Sequence, residues 1–199
     1  MSYWAGERAH EGFNGVRLLL LGESAYDEGQ KWSADDAAGH ASAMVRRWGF
    51  GGEGYQRFFA NVLALCTGAD WRDREAAERF WQSVYFYNYV TEPMAGGARV
   101  RPTEAQFRAS DDAFHSVLEE IQPQAILVLG KKTWQSISDR GAEKVASEQP
   151  LGDYYLYRLD GGAQALAAHV RHPSASGFSS AGLHEAVDAL LRYAAVVRR

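Results

Sequence analysis

The sequence contains one cysteine, no long apolar run and no excess of positive charge. Cys66 alone cannot form an internal disulfide or a cysteine-cluster metal site, which indicates a reducing cytoplasm. No apolar run approaches the roughly 20 residues that span a bilayer, and residues 1–13 lack the apolar core of a signal peptide. We therefore expect a cytoplasmic protein that does not enter a membrane and carries no metal or cofactor.

The net charge of −4 and the pI of about 5.9 argue against a protein that coats nucleic acid through bulk charge. Such binding depends on neutralised phosphates. The charge still allows a local basic rim, and arginine strongly outnumbers lysine, which suits directional phosphate contacts. The composition is that of a globular protein, 46% hydrophobic and 23% charged, and predicts one domain over residues 1–199.

Alternating strands and helices predict an α/β fold with a mostly parallel sheet. Continuous apolar runs, typical of strands covered on both faces, predict four strands over 16–21, 83–90, 125–130 and 165–173. Residues 154–159 predict an extra strand or a hairpin arm. The helical patterns cover 34–48, 53–66, 74–84, 103–121 and 180–197.

Polar residues follow each of the four predicted strands, in the stretches GESAYD, NY, GKKT and HPSASGFSS. In parallel α/β sheets, ligands bind beyond the carboxyl ends of the strands. We therefore expect Ser24, Asn88 and His172 to converge on one pocket at this edge of the sheet.

The ordered set LLLLGESAY, VYFYNYV, AILVLGKKTW and HVRHPSASGFS resembles the uracil-DNA glycosylase superfamily over residues 16–190. That superfamily has a first-strand motif of the form G-x-[DNA]-P-[YG], an asparagine ending the second strand in some branches, and an H-P-S loop before the final helix. The resemblance implies a three-layer α/β/α sandwich around a four-stranded sheet. It also implies hydrolysis of the N-glycosidic bond of uracil or another damaged base, a step in DNA repair.

The resemblance assigns several residues to base binding. Gly22 matches the motif glycine, whose missing side chain lets the backbone approach a base. Tyr26 matches the tyrosine that blocks a thymine methyl in the uracil-specific branch, and Ala25 replaces the usual proline. Asn88 matches the asparagine that reads the uracil edge. Trp32 is a candidate stacking partner for the base, with core packing as the alternative.

For catalysis, His172 matches the histidine that stabilises charge on the departing base. Glu23 lies where some branches have glutamine and another has glutamate. Ser24 lies where the best-known branches have a water-activating aspartate or asparagine, and one branch has alanine. Since a hydroxyl needs its own base to activate water, we expect Glu23 or Asp27 to handle water.

The predicted partner is DNA, bound locally through a basic rim, or a small nucleobase-containing ligand, and the protein is expected to be a monomer. Ser174 belongs to the phosphate-contacting loop of the resemblance, and Phe178 lies near its wedge position. The expected rim cations are Lys131, Lys132, Arg171, Arg46 and Arg47.

Two alternatives remain. SGNH esterases carry G-D-S and D-x-x-H-P patterns, which would make Ser24 the nucleophile and His172 its base. However, His169 replaces the expected aspartate and Glu23 replaces the other, so Asp153 or Asp160 would have to orient the histidine. The second alternative is a non-catalytic protein that binds nucleobases or nucleic acid.

Overall fold

The computed structural model describes residues 2–26, 34–51, 54–94, 100–137, 140–145 and 151–196. Within these residues, seven strands form one mixed sheet with helices on both faces. The strands are β1 (Trp4–Ala5), β2 (Leu18–Tyr26), β3 (Tyr85–Met94), β4 (Ala125–Leu129), β5 (Ala142–Val145), β6 (Tyr154–Arg158) and β7 (Gln164–Val170). Their order across the sheet is β1-β3-β2-β4-β7-β6-β5.

The centre of the sheet is parallel, because β2 pairs with β3 and β4, and β4 pairs with β7. These four strands are the four predicted apolar runs, and the predicted α/β class is confirmed. The prediction of a four-stranded sheet is wrong, since β1, β5 and β6 add antiparallel strands at its edges.

The sequence signal for the edge strands is weak for physical reasons. Strand β1 has only two residues, and β5 reads Ala-Glu-Lys-Val with no buried residue. Charged residues are common on edge strands, where they discourage pairing with another chain. The stretch predicted as an extra strand or hairpin arm is β6, which pairs with both β5 and β7.

The described helices are α1 (Ala34–Met44), α2 (Arg57–Thr67), α3 (Arg74–Trp81), α4 (Glu104–Ala109), α5 (Asp111–Ile121), α6 (Lys131–Ser136) and α7 (Ala181–Val196). A π-helical turn, Val45–Gly49, continues α1. The single helix predicted over 103–121 is two helices that meet at Ser110, and the Thr103 side chain caps the first of them. The short α6 was not predicted, because six residues are too few to show a helical period.

Alternating side chains of the central strands build two separate cores. Leu18 and Leu20 of β2 pack in a cluster with residues of α1, α2, α3 and α7. Leu19 and Leu21 point the other way, into a cluster with residues of α4 and α5, against which Trp134 of α6 packs. The sheet is therefore the middle layer of three.

The carboxyl edge of the parallel strands gathers the polar stretches. Gly22 of β2 lies in register beside Asn88 of β3, and the pairing becomes irregular between Ser24 and Tyr26. Such irregularities re-aim side chains at the end of a strand. His172 follows the last residue of β7 by two positions. Within the described part of the chain, none of the helices has the length and apolar character needed to cross a membrane.

Candidate functional site

A cavity of about 80 Å³ lies at this edge, where β2, β3, α2 and the loop after β7 meet. Drug-sized ligands occupy pockets of about 300–1,000 Å³, so this cavity suits a single small ring. It brings together six of the predicted site residues: Glu23, Ser24, Tyr26, Asn88, His172 and Ser174. The expected convergence of Ser24, Asn88 and His172 on one pocket is therefore observed.

Gly22 lies directly beneath the Asn88 side chain. A Cβ atom at position 22 would stand 2.3 Å from Asn88 Oδ1, far inside van der Waals contact. The glycine therefore provides the space in which the Asn88 amide lies. The expected role of Gly22, to let the backbone approach a base, stays a prediction.

We expect Gly22→Ala to lower the kcat/KM of any reaction in this cavity by roughly 10²-fold, the effect typical of a misplaced group at a reacting site. The new methyl group must displace the Asn88 amide. Steady-state kinetics would measure the loss, with Gly182→Ala as the matched control, because nothing lies within 4 Å of that position. Parent-like kinetics of Gly22→Ala would contradict this role for the glycine.

Hydrogen bonds in the loop after β7 determine which ring nitrogen of His172 carries the proton. The backbone N–H of Ser174 donates to Nδ1 of His172 at 3.1 Å, and the N–H of Ala175 donates to the His172 carbonyl at 2.9 Å. A backbone N–H can only donate, so Nδ1 of the neutral ring carries no proton. The proton is on Nε2, and the neutral ring is a hydrogen-bond donor through that atom.

Helix α2 fixes this loop from one side. The Nδ2 amide of Asn61 donates to the carbonyl of Pro173 at 2.6 Å, and the Phe58 ring packs on the His172 ring with centres 5.6 Å apart. Gln56 starts the helix by accepting the N–H of Phe59 at 3.1 Å. The N-terminal half of α2 thus both lines the cavity and holds the histidine.

Burial lowers the pKa of His172 below that of an ordinary histidine, and the nearby charge of Arg101 lowers it further. Both effects favour the neutral ring. The neutral donor tautomer is therefore the form expected at physiological pH.

Glu23 is a buried carboxyl group, 8% exposed, on the cavity wall. Burial raises its pKa, and the charges of Arg101 and Lys132 offset part of the rise. Burial also raises the pKa of the neighbouring Tyr26, with the Glu23 charge as the second cause. The cavity thus holds one acidic group with a raised pKa and one imidazole with a lowered pKa, a separation typical of acid–base sites.

Ser24 has a different environment. Its hydroxyl oxygen is buried and has no hydrogen-bond partner among the described residues, so it does not donate to His172. A Ser–His nucleophile pair needs Nε2 free to take the serine proton. Because Nε2 of neutral His172 carries a proton, this geometry disfavours the esterase alternative.

The acids proposed to orient that histidine lie elsewhere. Asp153 is paired with Lys144 at 2.6 Å, beside β5. The backbone N–H of Asp160, in the turn between β6 and β7, donates to Glu119 at 2.9 Å. Neither aspartate lines the cavity.

Of the residues predicted to contact DNA, Ser174 lines the cavity and the others lie outside its wall. None of the expected rim cations lines the cavity. Lys132 is ion-paired with Glu104 and lies over the Phe107 ring, while Lys131 is exposed. Phe178, expected as a wedge, is half-buried and packs against the core on the α2 side.

The arginines of the expected rim lie on the protein surface. Arg46 and Arg47 are exposed and lie over the indole rings of Trp4 and Trp48. Arg171 is exposed and runs along its own loop toward Gly177. Asp27 and Trp32 fall outside the described residues.

Sequence reasoning missed Arg101 beside the cavity and five residues of its wall: Met44, Gln56, Phe58, Phe59 and Phe86. Phe59 is a buried core residue, whereas the adjacent Phe58 is partly buried and also packs on His172. No sequence period distinguishes two adjacent phenylalanines at the start of a helix. Arg101 acts through space from the segment after β3, and no motif marks it.

Among the described residues, no group of three histidine, cysteine or acidic side chains is arranged to hold a metal ion. No protein-family model matches this chain, and a search of curated proteins likewise finds no match.

Proposed function

We propose that this protein hydrolyses the N-glycosidic bond between deoxyribose and uracil, or another damaged base, in DNA. The observation that carries the proposal is the set of groups around one small cavity. A carboxyl group (Glu23), an amide (Asn88) and an imidazole whose remaining proton is on Nε2 (His172) share it. The resemblance of the GESAY and HPSASGF motifs to uracil-DNA glycosylases supports the same chemistry.

Residues of the cavity wall recognise the base. A base must leave the stack to reach such a site, and it is then read through its polar edge and stacked on a ring. Asn88 offers a donor and an acceptor together, which matches the paired groups on the edge of a pyrimidine. Phe58 replaces the predicted Trp32 as the stacking ring in our proposal, because it lines the cavity beside His172.

Bond cleavage leaves negative charge on the base and positive charge on the sugar. The Nε2–H of His172 donates to a base carbonyl on which negative charge grows, as an oxyanion donor does. A neutral imidazole suits this role, because the hydrogen bond strengthens without a proton being transferred. Asn61 and Phe58 hold the ring in place for it.

Water is then handled by Glu23. As a carboxylate it accepts a proton from the attacking water and faces the positive charge on the sugar. Ser24 is a wall residue in this proposal, since its hydroxyl has no base beside it in the described structure. The protein acts on DNA as a monomer in the cytoplasm.

The test is a base-release assay on a single-stranded oligonucleotide with one uracil, followed by alkaline cleavage of the abasic site. The same oligonucleotide with thymine is the control, and a short-chain ester tests the alternative reaction. We expect strand cleavage only at uracil. Tight binding of the uracil oligonucleotide with no base release at excess protein would instead support the non-catalytic binder. Turnover of the ester alone would refute the proposal.

Arg101→Gln is expected to move the acid limb of the pH–rate profile to higher pH. Removing the cation raises the pKa of Glu23, because its carboxylate loses an attractive charge. The change also raises the pKa of His172, because its cationic form loses a repulsion. Both active forms, ionised Glu23 and neutral His172, are then lost at a higher pH.

The profile would be recorded at low and high ionic strength, since Arg101 is exposed and salt screens its charge. Arg108→Gln is the matched control, because Arg108 is an exposed arginine of α4 that does not line the cavity. An unmoved acid limb at low salt would contradict the assigned roles of Arg101.

A further inference from the structure

A second, smaller depression adjoins the cavity, between the π-helical turn, α2 and the loop before α3. Trp48, from the π-helical turn after α1, and Trp71, from the loop before α3, both line it. Gln56 lines the depression and the cavity alike, so the two recesses share a wall. The Tyr55 ring meets the Trp71 ring edge-on, with centres 5.5 Å apart.

An arginine lies over each of the two indoles. The guanidinium of Arg47 is 4.8 Å from the centre of the Trp48 ring, and that of Arg72 is 4.7 Å from the centre of the Trp71 ring. A guanidinium held on an indole face has fewer orientations to lose when it binds a phosphate. Arg72 also pairs with Asp70 at 3.3 Å, but the pair is exposed and weak, so a phosphate can replace it.

Tyr55 provides an aromatic face at the same place. It is 55% exposed, one of four large hydrophobic residues that are exposed among those described. An exposed ring beside arginines is the combination by which proteins bind single-stranded nucleic acid without reading its sequence. Tyr55 also directly precedes the cavity residue Gln56, and neighbouring Cα atoms are about 3.8 Å apart.

We propose that Tyr55 and the pairs Arg47–Trp48 and Arg72–Trp71 form a contact surface for single-stranded DNA at the mouth of the cavity. We call it the aromatic–arginine surface. Tyr55 stacks on the nucleotide beside the one in the cavity, and the two arginines bind the phosphates that flank it. The proposal rests on the proposed function for its substrate. It adds a preference for single strands, because paired bases do not offer their faces to Tyr55.

The test is a fluorescence-anisotropy titration with labelled oligothymidylate of about 15 nucleotides, within the site sizes of such proteins. It contains no uracil and reports the surface alone. We expect Tyr55→Ala to weaken binding by about tenfold, the loss expected for one stacked base. Tyr55→Phe keeps the ring and should bind as the parent does. Tyr193→Ala, at an exposed tyrosine of α7, is the matched control.

The arginines are tested through salt. Arg47→Gln and Arg72→Gln should each reduce the slope of log K against log salt concentration by about 0.7, the value for one phosphate contact on a single strand. Equal binding by the parent and Tyr55→Ala would overturn the proposal, as would equal or tighter binding of the same sequence as a duplex. Absence of oligothymidylate binding at low salt would overturn it as well.

The outcomes separate this proposal from the proposed function. A protein that releases uracil while Tyr55→Ala binds like the parent is a glycosylase without the aromatic–arginine surface. A protein that binds single strands through Tyr55 but releases no base has the surface without the glycosylase activity.

Discussion

Glu23→Gln is expected to lower the rate of uracil release by about 10²–10⁴-fold, the usual effect of losing a general base. The substitution keeps the size and polarity of the side chain but removes the group that accepts a proton from water. Among the described residues that line the cavity, Glu23 is the only one with a carboxyl group. Single-turnover rates at saturating protein would measure the loss without interference from product release.

The pH dependence of the parent gives a second check on Glu23. Burial raises its pKa, so the carboxylate is lost on acidification at a higher pH than for an exposed glutamate. The parent rate should fall through this acid limb, and the residual rate of Glu23→Gln should lack it. Glu78→Gln, at an exposed glutamate of α3, is the matched control and should keep both rate and limb.

Ser24→Ala separates Glu23 from its neighbour. We expect a loss of less than about tenfold, because no described residue accepts a hydrogen bond from the serine hydroxyl and could activate it. If Ser24→Ala is inactive while Glu23→Gln retains the parent rate, the assignment of water handling to Glu23 is wrong. Circular dichroism of both variants would confirm that each is folded.

The parallel centre of the fold could be predicted from the sequence because burial on both faces leaves a continuous apolar run. The runs VRLLLL and AILVLG are continuous and apolar, and both form central strands of the sheet. Strand β5 could not be predicted, since an exposed edge strand does not require apolar residues at positions such as Glu143 and Lys144. The break at Ser110 could not be predicted either, because Phe107 and Phe114 share one apolar stripe across it.

The position of the site follows from the rule that parallel strands end at a common edge, and Asn88 and His172 were found in this way. Their chemistry was not predictable to the same depth. The tautomer of His172 depends on a hydrogen bond from the backbone N–H of Ser174, and the amino-acid sequence does not show this contact. The pairing of Gly22 with Asn88 depends on strand register, and the role of Phe58 depends on which of two adjacent rings packs on His172.

His172→Ala is expected to lower the rate of uracil release by about 10²–10³-fold, the loss typical when one oxyanion donor is removed. The reason lies in the Nε2–H, which is left as the free donor of the ring because Nδ1 accepts the N–H of Ser174. The loss should fall mainly on kcat, since the hydrogen bond strengthens as charge grows on the departing base. His10→Ala, at an exposed histidine near the N-terminus, is the matched control.

The tautomer itself can be observed by ¹⁵N NMR of labelled histidine, compared between the parent and His172→Ala to assign the signal. We expect a neutral ring at pH 7 with Nδ1 unprotonated and Nε2 protonated, persisting below the pH at which an exposed histidine becomes charged. An unprotonated Nε2 would contradict the donor role and would instead fit His172 as a general base. In that case Ser24→Ala, and not Glu23→Gln, should abolish turnover, and the substrate would be an ester instead of a nucleotide.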